Sequence, residues 1–151
     1  MKMQTFIFML TFISLVISAL DPVPLAIDLE IDEGKVFPIR TMDEEPISIF
    51  LNYNSIITQL PKKYFDLIKQ TLTQNNFRCG KKYVYSGGFY EKFYCNEKSN
   101  VDFSKIKMHI HYSNKTITMT ENQLFEVEGT KHVAKFYTQS GISMFIFGLK
   151  K

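Results

Sequence analysis

A mainly β domain with one clear α-helix is predicted, and three observations predict it. Short apolar stretches recur along the chain, with turn residues about every eight to twelve positions. The 14 Phe and eight Tyr supply side chains that favour strands. Only the stretch after Leu60-Pro61 carries apolar residues at helical spacing. The expected arrangement is an orthogonal β-sandwich or a barrel-like packing of short strands.

Length and composition set the outer bounds. A chain of 151 residues is one domain by ordinary size, large enough for a real core. With 45% hydrophobic and 22% charged residues it reads as globular, not disordered. The net charge of +3 is too small to argue for nucleic acid or a membrane surface. Lysines and arginines are scattered, and no basic, aromatic-rich face stands out.

The first 19 residues read as a secretory signal. Lys2 gives a positive start, residues 6–17 are apolar apart from Thr11 and Ser14, and Ser18 or Ala19 offers the cleavage point. The run is shorter than the roughly 20 residues a membrane span needs, and an uncleaved anchor is the rival reading. Cleavage removes only Lys2 among the charged residues, leaving 17 Lys and Arg against 15 Asp and Glu, a net charge of +2. The expected destination is the secretory pathway, ending outside the cell or in a lysosome- or vacuole-like compartment, with no membrane attachment after cleavage. In an oxidising compartment Cys79 and Cys95 would most simply pair. Closing that loop contributes roughly 3 kcal/mol in the chain-entropy model. Two buried free thiols are the alternative. Asn114-Lys115-Thr116 is the one glycosylation sequon and falls at an expected hairpin tip.

Residues 20–46 read as lead-in strands. Leu25, Ile27, Leu29 and Ile31 alternate with Ala26, Asp28, Glu30 and Asp32, a strand with one buried face. Glu33-Gly34 turns the chain, and residues 35–40 form a second strand with Pro38 at an edge or an end. Asp43-Glu44-Glu45-Pro46 reads as a solvated acidic loop and not as a carboxylate pair for acid–base work. Residues 47–51 are nearly all apolar, which suits a strand covered on both faces. The polar loop Asn52-Tyr53-Asn54-Ser55 follows. Pro61 suits a first helical position, where its missing N–H costs nothing. Tyr64, Leu67, Ile68, Thr71 and Leu72 make one helix face, and Asn75-Asn76 ends it, since Asn tolerates the left-handed cap.

From Phe77 the pattern returns to strands. Residues 82–85 and 89–95 flank the hairpin turn Ser86-Gly87-Gly88. Residues 96–100 are a polar loop. Ile106, Met108, Ile110 and Tyr112 line one face of a strand, Ser113-Asn114-Lys115 turns it, and Ile117 and Met119 continue on the return. Residues 124–127 are a short strand, Glu128-Gly129-Thr130 turns into a strand at 132–137, and residues 142–148 form the last apolar segment.

The pattern around Asn52 resembles the second active-site turn of the pepsin-like (eukaryotic) aspartic proteases. There an apolar run meets Asp-Ser/Thr-Gly-Thr/Ser, then three residues, a Leu-Pro-like pair and a helix. Counting back from Leu60-Pro61 sets Asn52 at the catalytic Asp position, Asn54 at the Gly and Ser55 at the hydroxyl. The resemblance runs on in order through the Leu60-Pro61 helix, Cys79 with Cys95, Phe103-Ser104-Lys105-Ile106, residues 116–125, and Phe145-Ile146-Phe147-Gly148. It covers roughly residues 47–148 and is most like protist members. It implies that residues 47–151 are a single second (C-terminal) lobe, stopping short of the strands that complete such a lobe.

The same resemblance implies that the site is silent. Family enzymes share one proton between two carboxylates, one from each lobe, and use the pair to activate water. Asn52 is nearly isosteric with Asp but cannot take up that proton. No Asp-Thr/Ser-Gly occurs anywhere: Asp21, Asp28, Asp32, Asp43, Asp66 and Asp102 are followed by Pro, Leu, Glu, Glu, Leu and Phe. Asn54 is tolerable at positive φ but fills space that a partner loop needs. The expected function is therefore a secreted pseudoenzyme that binds a peptide, or docks on another protease lobe, without nucleic acid and without a cofactor. Two other readings stand beside it: an unrelated disulfide-stapled β domain acting as an interaction protein, and a truncated or decayed gene product. Other chemistry is thinner. His109 and His111 share one strand face and, with His132, are a weak three-histidine zinc candidate. Cys79 lacks the base and electropositive surroundings of a nucleophile.

Overall fold

A computed structural model of the chain describes residues 25–40, 48–85, 87–96 and 102–151. The expected signal segment 1–19, the acidic loop at 43–46, Ser86 and most of the polar loop at 96–100 lie outside these residues. The described chain is mainly β, with one long helix and three four-stranded sheets, none of which closes on itself.

The first sheet follows from alternation. Strand β1 (Leu25–Asp32) buries Ile27, Leu29 and Ile31 on one face. Gly34, at φ 82°, lets the chain double back into β2 (Lys35–Ile39). On the other side β1 pairs antiparallel with β7 (Lys107–Tyr112), and β7 pairs with β8 (Lys115–Met119). The β7–β8 turn sets both Ser113 and Asn114 at positive φ, 51° and 59°, as a two-residue hairpin turn of right-handed twist requires. The lead-in strands are thus built into the core: Ile27, Leu29, Ile31 and Ile39 pack with the rest of the chain.

The second sheet holds β5 (Arg78–Tyr85) and β6 (Phe89–Asn96) as a hairpin, then β10 (Lys131–Ala134) and β9 (Phe125–Glu128), in the order β5-β6-β10-β9. Cys79 and Cys95 face each other across the hairpin and form a disulfide. The third sheet holds β3 (Ser48–Asn52), β4 (Thr58–Gln59), β11 (Phe136–Tyr137) and β12 (Met144–Gly148), in the order β11-β4-β12-β3. Strand β12 runs parallel to β3 and antiparallel to β4, so it threads between two segments that are consecutive in the chain. A Cβ on Gly148 would sit 2.5 Å from the Ile57 carbonyl oxygen and 2.7 Å from its nitrogen. Only glycine lets the backbones come that close.

Helix α1 (Lys62–Gln74) starts at Pro61, which stands just outside it as N-cap. It buries Phe65, Ile68 and Leu72. The face is therefore rotated from the expected one, with Phe65 at its centre, set edge-on to Phe93 and Phe136 at 5.5 and 6.1 Å. The helix stops in a Schellman arrangement: the N–H of Phe77 donates to Leu72 O, that of Asn76 donates to Thr73 O, and Asn76 takes φ 71°.

Three strand assignments are corrected. The strand expected at 47–51 to be covered on both faces has no fully buried residue in β3 and leaves Phe50 exposed, since little packs over its faces; it also lies at the edge of its sheet, beside β12. The stretch expected as one strand at 132–137 is split between two sheets. At the break, Lys135 N–H donates to Leu124 O and Lys135 O accepts from Thr58 N–H. The strand expected at 124–127 is preceded by a short helical turn, α2 (Glu121–Leu124). The Thr120 N–H donates to Gln123 Oε1, half of a capping box that Thr120-Glu121-Asn122-Gln123 spells out. A 3₁₀ turn (Phe103–Lys105) also went unread; Asp102 caps it by accepting from Ser104 N–H.

Candidate functional site

The turn after β3 is fastened to β12 and the residues beyond it. Asn52 Oδ1 accepts from the Asn54 N–H at 3.0 Å, a local turn that Asn is well suited to make. The Asn52 carbonyl accepts from Leu149 N–H at 2.9 Å, and the Ser55 carbonyl accepts from Lys150 N–H at 3.1 Å. Ser55 Oγ accepts from Ile57 N–H and donates to the Ile57 carbonyl. Buried Thr58 accepts from Gly148 N–H through Oγ1 at 2.9 Å. Positive φ among non-glycine residues falls on Asn76, Ser113 and Asn114, so Asn54 does not use the left-handed freedom that was the argument for tolerating it.

This turn forms one end of an open cleft of about 480 Å³. Its floor is the outward face of the third sheet: Gln59, Tyr137 and Ile146, with Asn52, Ser55 and Ile57 from the turn. Its wall is one face of the β5–β6 hairpin, Val84, Tyr90 and Lys92. The floor is rigidly bonded: Tyr137 Oη donates to Gln59 Oε1 at 3.0 Å, and Gln59 Nε2 donates to Met144 O at 3.3 Å. Tyr90 meets the Tyr137 ring edge-on at 5.0 Å, closing floor to wall. Burial, and Tyr90 beside it, push the Tyr137 phenol above its ordinary pKa. Burial, and then Lys82, pull the Lys92 ammonium below its ordinary pKa.

Among the described residues the cleft contains no carboxylate. Asn52 commits its side-chain oxygen to the turn, and its amide N–H₂ can only donate. A carboxylate pair cannot be assembled from these residues, so water activation of that kind has no base here. What the cleft offers is an apolar surface, hydrogen-bond donors and one positive charge.

The remaining candidates are dispersed. Cys79 is in the disulfide and is not a free nucleophile. Asn114 is exposed at the β7–β8 turn, where the sequon was expected to lie. His109 and His111 share the outer face of the first sheet. His111 bonds Asp28 at 2.9 Å and Thr116 at 3.0 Å, and His109 bonds Thr118 at 2.9 Å and stands 3.7 Å from Glu30. His132 is in the second sheet, buried and stacked on Phe103 at 3.7 Å. The structure does not bring it to the other two, and no cluster of three or more His, Cys, Asp or Glu able to hold a metal occurs among the described residues. Among those residues no helix is long and apolar enough to cross a membrane.

The hairpin wall was missed in the sequence. Its signal was the period-two order of Lys82, Val84, Tyr90 and Lys92 across the glycine turn, which sets them on one face. Nothing local says which element that face overhangs. No family model matches the chain, and no curated protein matches it.

Proposed function

We propose that this protein is a secreted, catalytically silent peptide-binding relative of the second lobe of pepsin-like aspartic proteases. The observation that carries the reading is the threading of β12 between β3 and β4, with Asn52 at the crossing and Gly148 against Ile57. The resemblance implies a crossing of this kind, with the strand that ends at Asn52 running beside Phe147-Gly148, and the crossing supports the reading. Asn52 keeps the shape of the acid without its proton chemistry, and Ser55 keeps a hydroxyl bonded within the turn. The Cys79–Cys95 disulfide suits an oxidising, secretory setting. The cleft beside the turn has the size and the mixed apolar and polar lining of a ligand site.

The test has two halves. Purified protein is incubated at acid pH with a denatured substrate, and its binding to labelled unstructured peptides is followed by fluorescence anisotropy. The expected result is saturable binding without cleavage. Pepstatin-sensitive cleavage by the wild type would refute the silent-site reading, and failure to bind any peptide would refute the binding role.

A further inference from the structure

The cleft beside Asn52 is one-sided in its chemistry. Its polar side-chain groups not used internally are the Asn52 amide and the Lys92 ammonium, which only donate, and the Tyr90 hydroxyl, which donates or accepts. Ile57, Val84 and Ile146 supply apolar surface around them. Among the described residues no acidic side chain lines the cleft. Lys92 is half-buried and makes no ion pair among the described residues. Glu126 and Glu128 on β9 act on it through charge, but neither forms an ion pair with it, and Glu128 bonds Lys82 at 3.2 Å. A positive charge held partly out of water, beside a second lysine and without a direct ion pair, gains from receiving an anion.

Building on the peptide-binding reading, we infer that the cleft selects a carboxylate-bearing peptide, with Lys92 as the residue that fixes the carboxylate. The apolar floor takes the neighbouring side chains of the peptide. The carboxylate accepts from Lys92 Nζ, with the Tyr90 hydroxyl and the Asn52 amide as further donors on the same cleft. Lys92 is a specificity residue and does no chemistry. The depression of its ammonium by burial and by Lys82 is consistent with a charge waiting for a counter-ion.

The test uses four labelled pentapeptides of apolar residues. One carries a central Glu with an amidated C-terminus, one Gln in its place, one Lys, and one the Gln sequence with a free C-terminal carboxylate. Anisotropy titrations compare wild type with Lys92→Met, Lys92→Arg and, as a control outside the cleft, Lys107→Met, an exposed position on the first sheet whose binding should match wild type. Met keeps the length of the stem and removes a charge that burial already opposes, so Lys92→Met is expected to unfold no earlier than wild type in urea. On wild type, a carboxylate peptide is expected to bind about tenfold tighter than the Gln amide, and the Lys peptide more weakly still. The arm that gains affinity, side chain or C-terminus, identifies the carboxylate. Lys92→Met should erase the gain and leave the Gln affinity untouched, and Lys92→Arg should retain most of it. Equal affinity for charged and neutral peptides on wild type would overturn the inference and leave peptide binding standing. So would a preference that survives Lys92→Met. Absence of binding by all four peptides would overturn both.

Discussion

At the scale of single residues, the site depends on two positions of opposite tolerance. Asn52 can hold its turn because its side-chain oxygen accepts from Asn54 N–H, a role Asp would fill equally well. Asn or Asp at this position would therefore serve the fold alike, and on the proposed reading a silent site persists in an intact frame. Gly148 is the opposite case. A methyl group there meets backbone atoms of Ile57, which cannot swing aside as a flexible side chain would. Gly148→Ala is expected to cost about 3 kcal/mol, the upper end of overpacking penalties. Urea unfolding midpoints would measure it. A loss below about 0.5 kcal/mol, the ordinary range for harmless surface changes, would mean that β4 and β12 are not in this contact.

At the scale of elements, the helix shows how far periodicity reaches. The spacing of Tyr64, Leu67, Ile68, Thr71 and Leu72 marks a helix correctly, and Asn75-Asn76 ends it correctly. The facing is off by part of a turn, because the decision lies in the aromatic cluster that receives the helix. Phe93 and Phe136, from two different sheets, make the socket for Phe65. Phe65→Ala is expected to cost about 4 kcal/mol, and Leu67→Ala, only half-buried, clearly less. Thermal melts of the two variants would separate the facings, since the expected one reverses their order. Strand boundaries fail in the same way. Residues 132–137 look continuous in pattern, yet Lys135 breaks the strand by bonding Leu124 and Thr58 through its two backbone groups. Those bonds reach across 11 and 77 positions, beyond any local window. By contrast, Thr120-Glu121-Asn122-Gln123 announced a helical start and could have been read.

At the scale of the molecule, the three sheets share one core, with aromatic rings linking helix α1, the disulfide hairpin and β11. The Cys79–Cys95 bond closes the hairpin whose other face walls the cleft. Opening it should act mainly on the unfolded chain, by releasing a short loop. The double variant Cys79→Ala/Cys95→Ala is expected to lose about 3 kcal/mol in equilibrium unfolding, together with the cost of the cavity at buried Cys95. An unchanged midpoint under oxidising conditions would show that the bond does not constrain the chain.

The sequence by itself determined that this is a mainly β chain with one long helix, where the hairpin turns at Gly34 and Ser113-Asn114 lie, and that Asn52, not an acid, stands at the end of an apolar strand. These are local properties: side-chain periodicity, turn chemistry and the titration of one residue type. Only the tertiary structure decided that β12 passes between β3 and β4, and that the hairpin leans Val84, Tyr90 and Lys92 over that turn. The physical reason is that both arrangements are made by contacts between segments tens of residues apart. Alternation says which side chains share a face, but only the packing of the whole core says what that face meets.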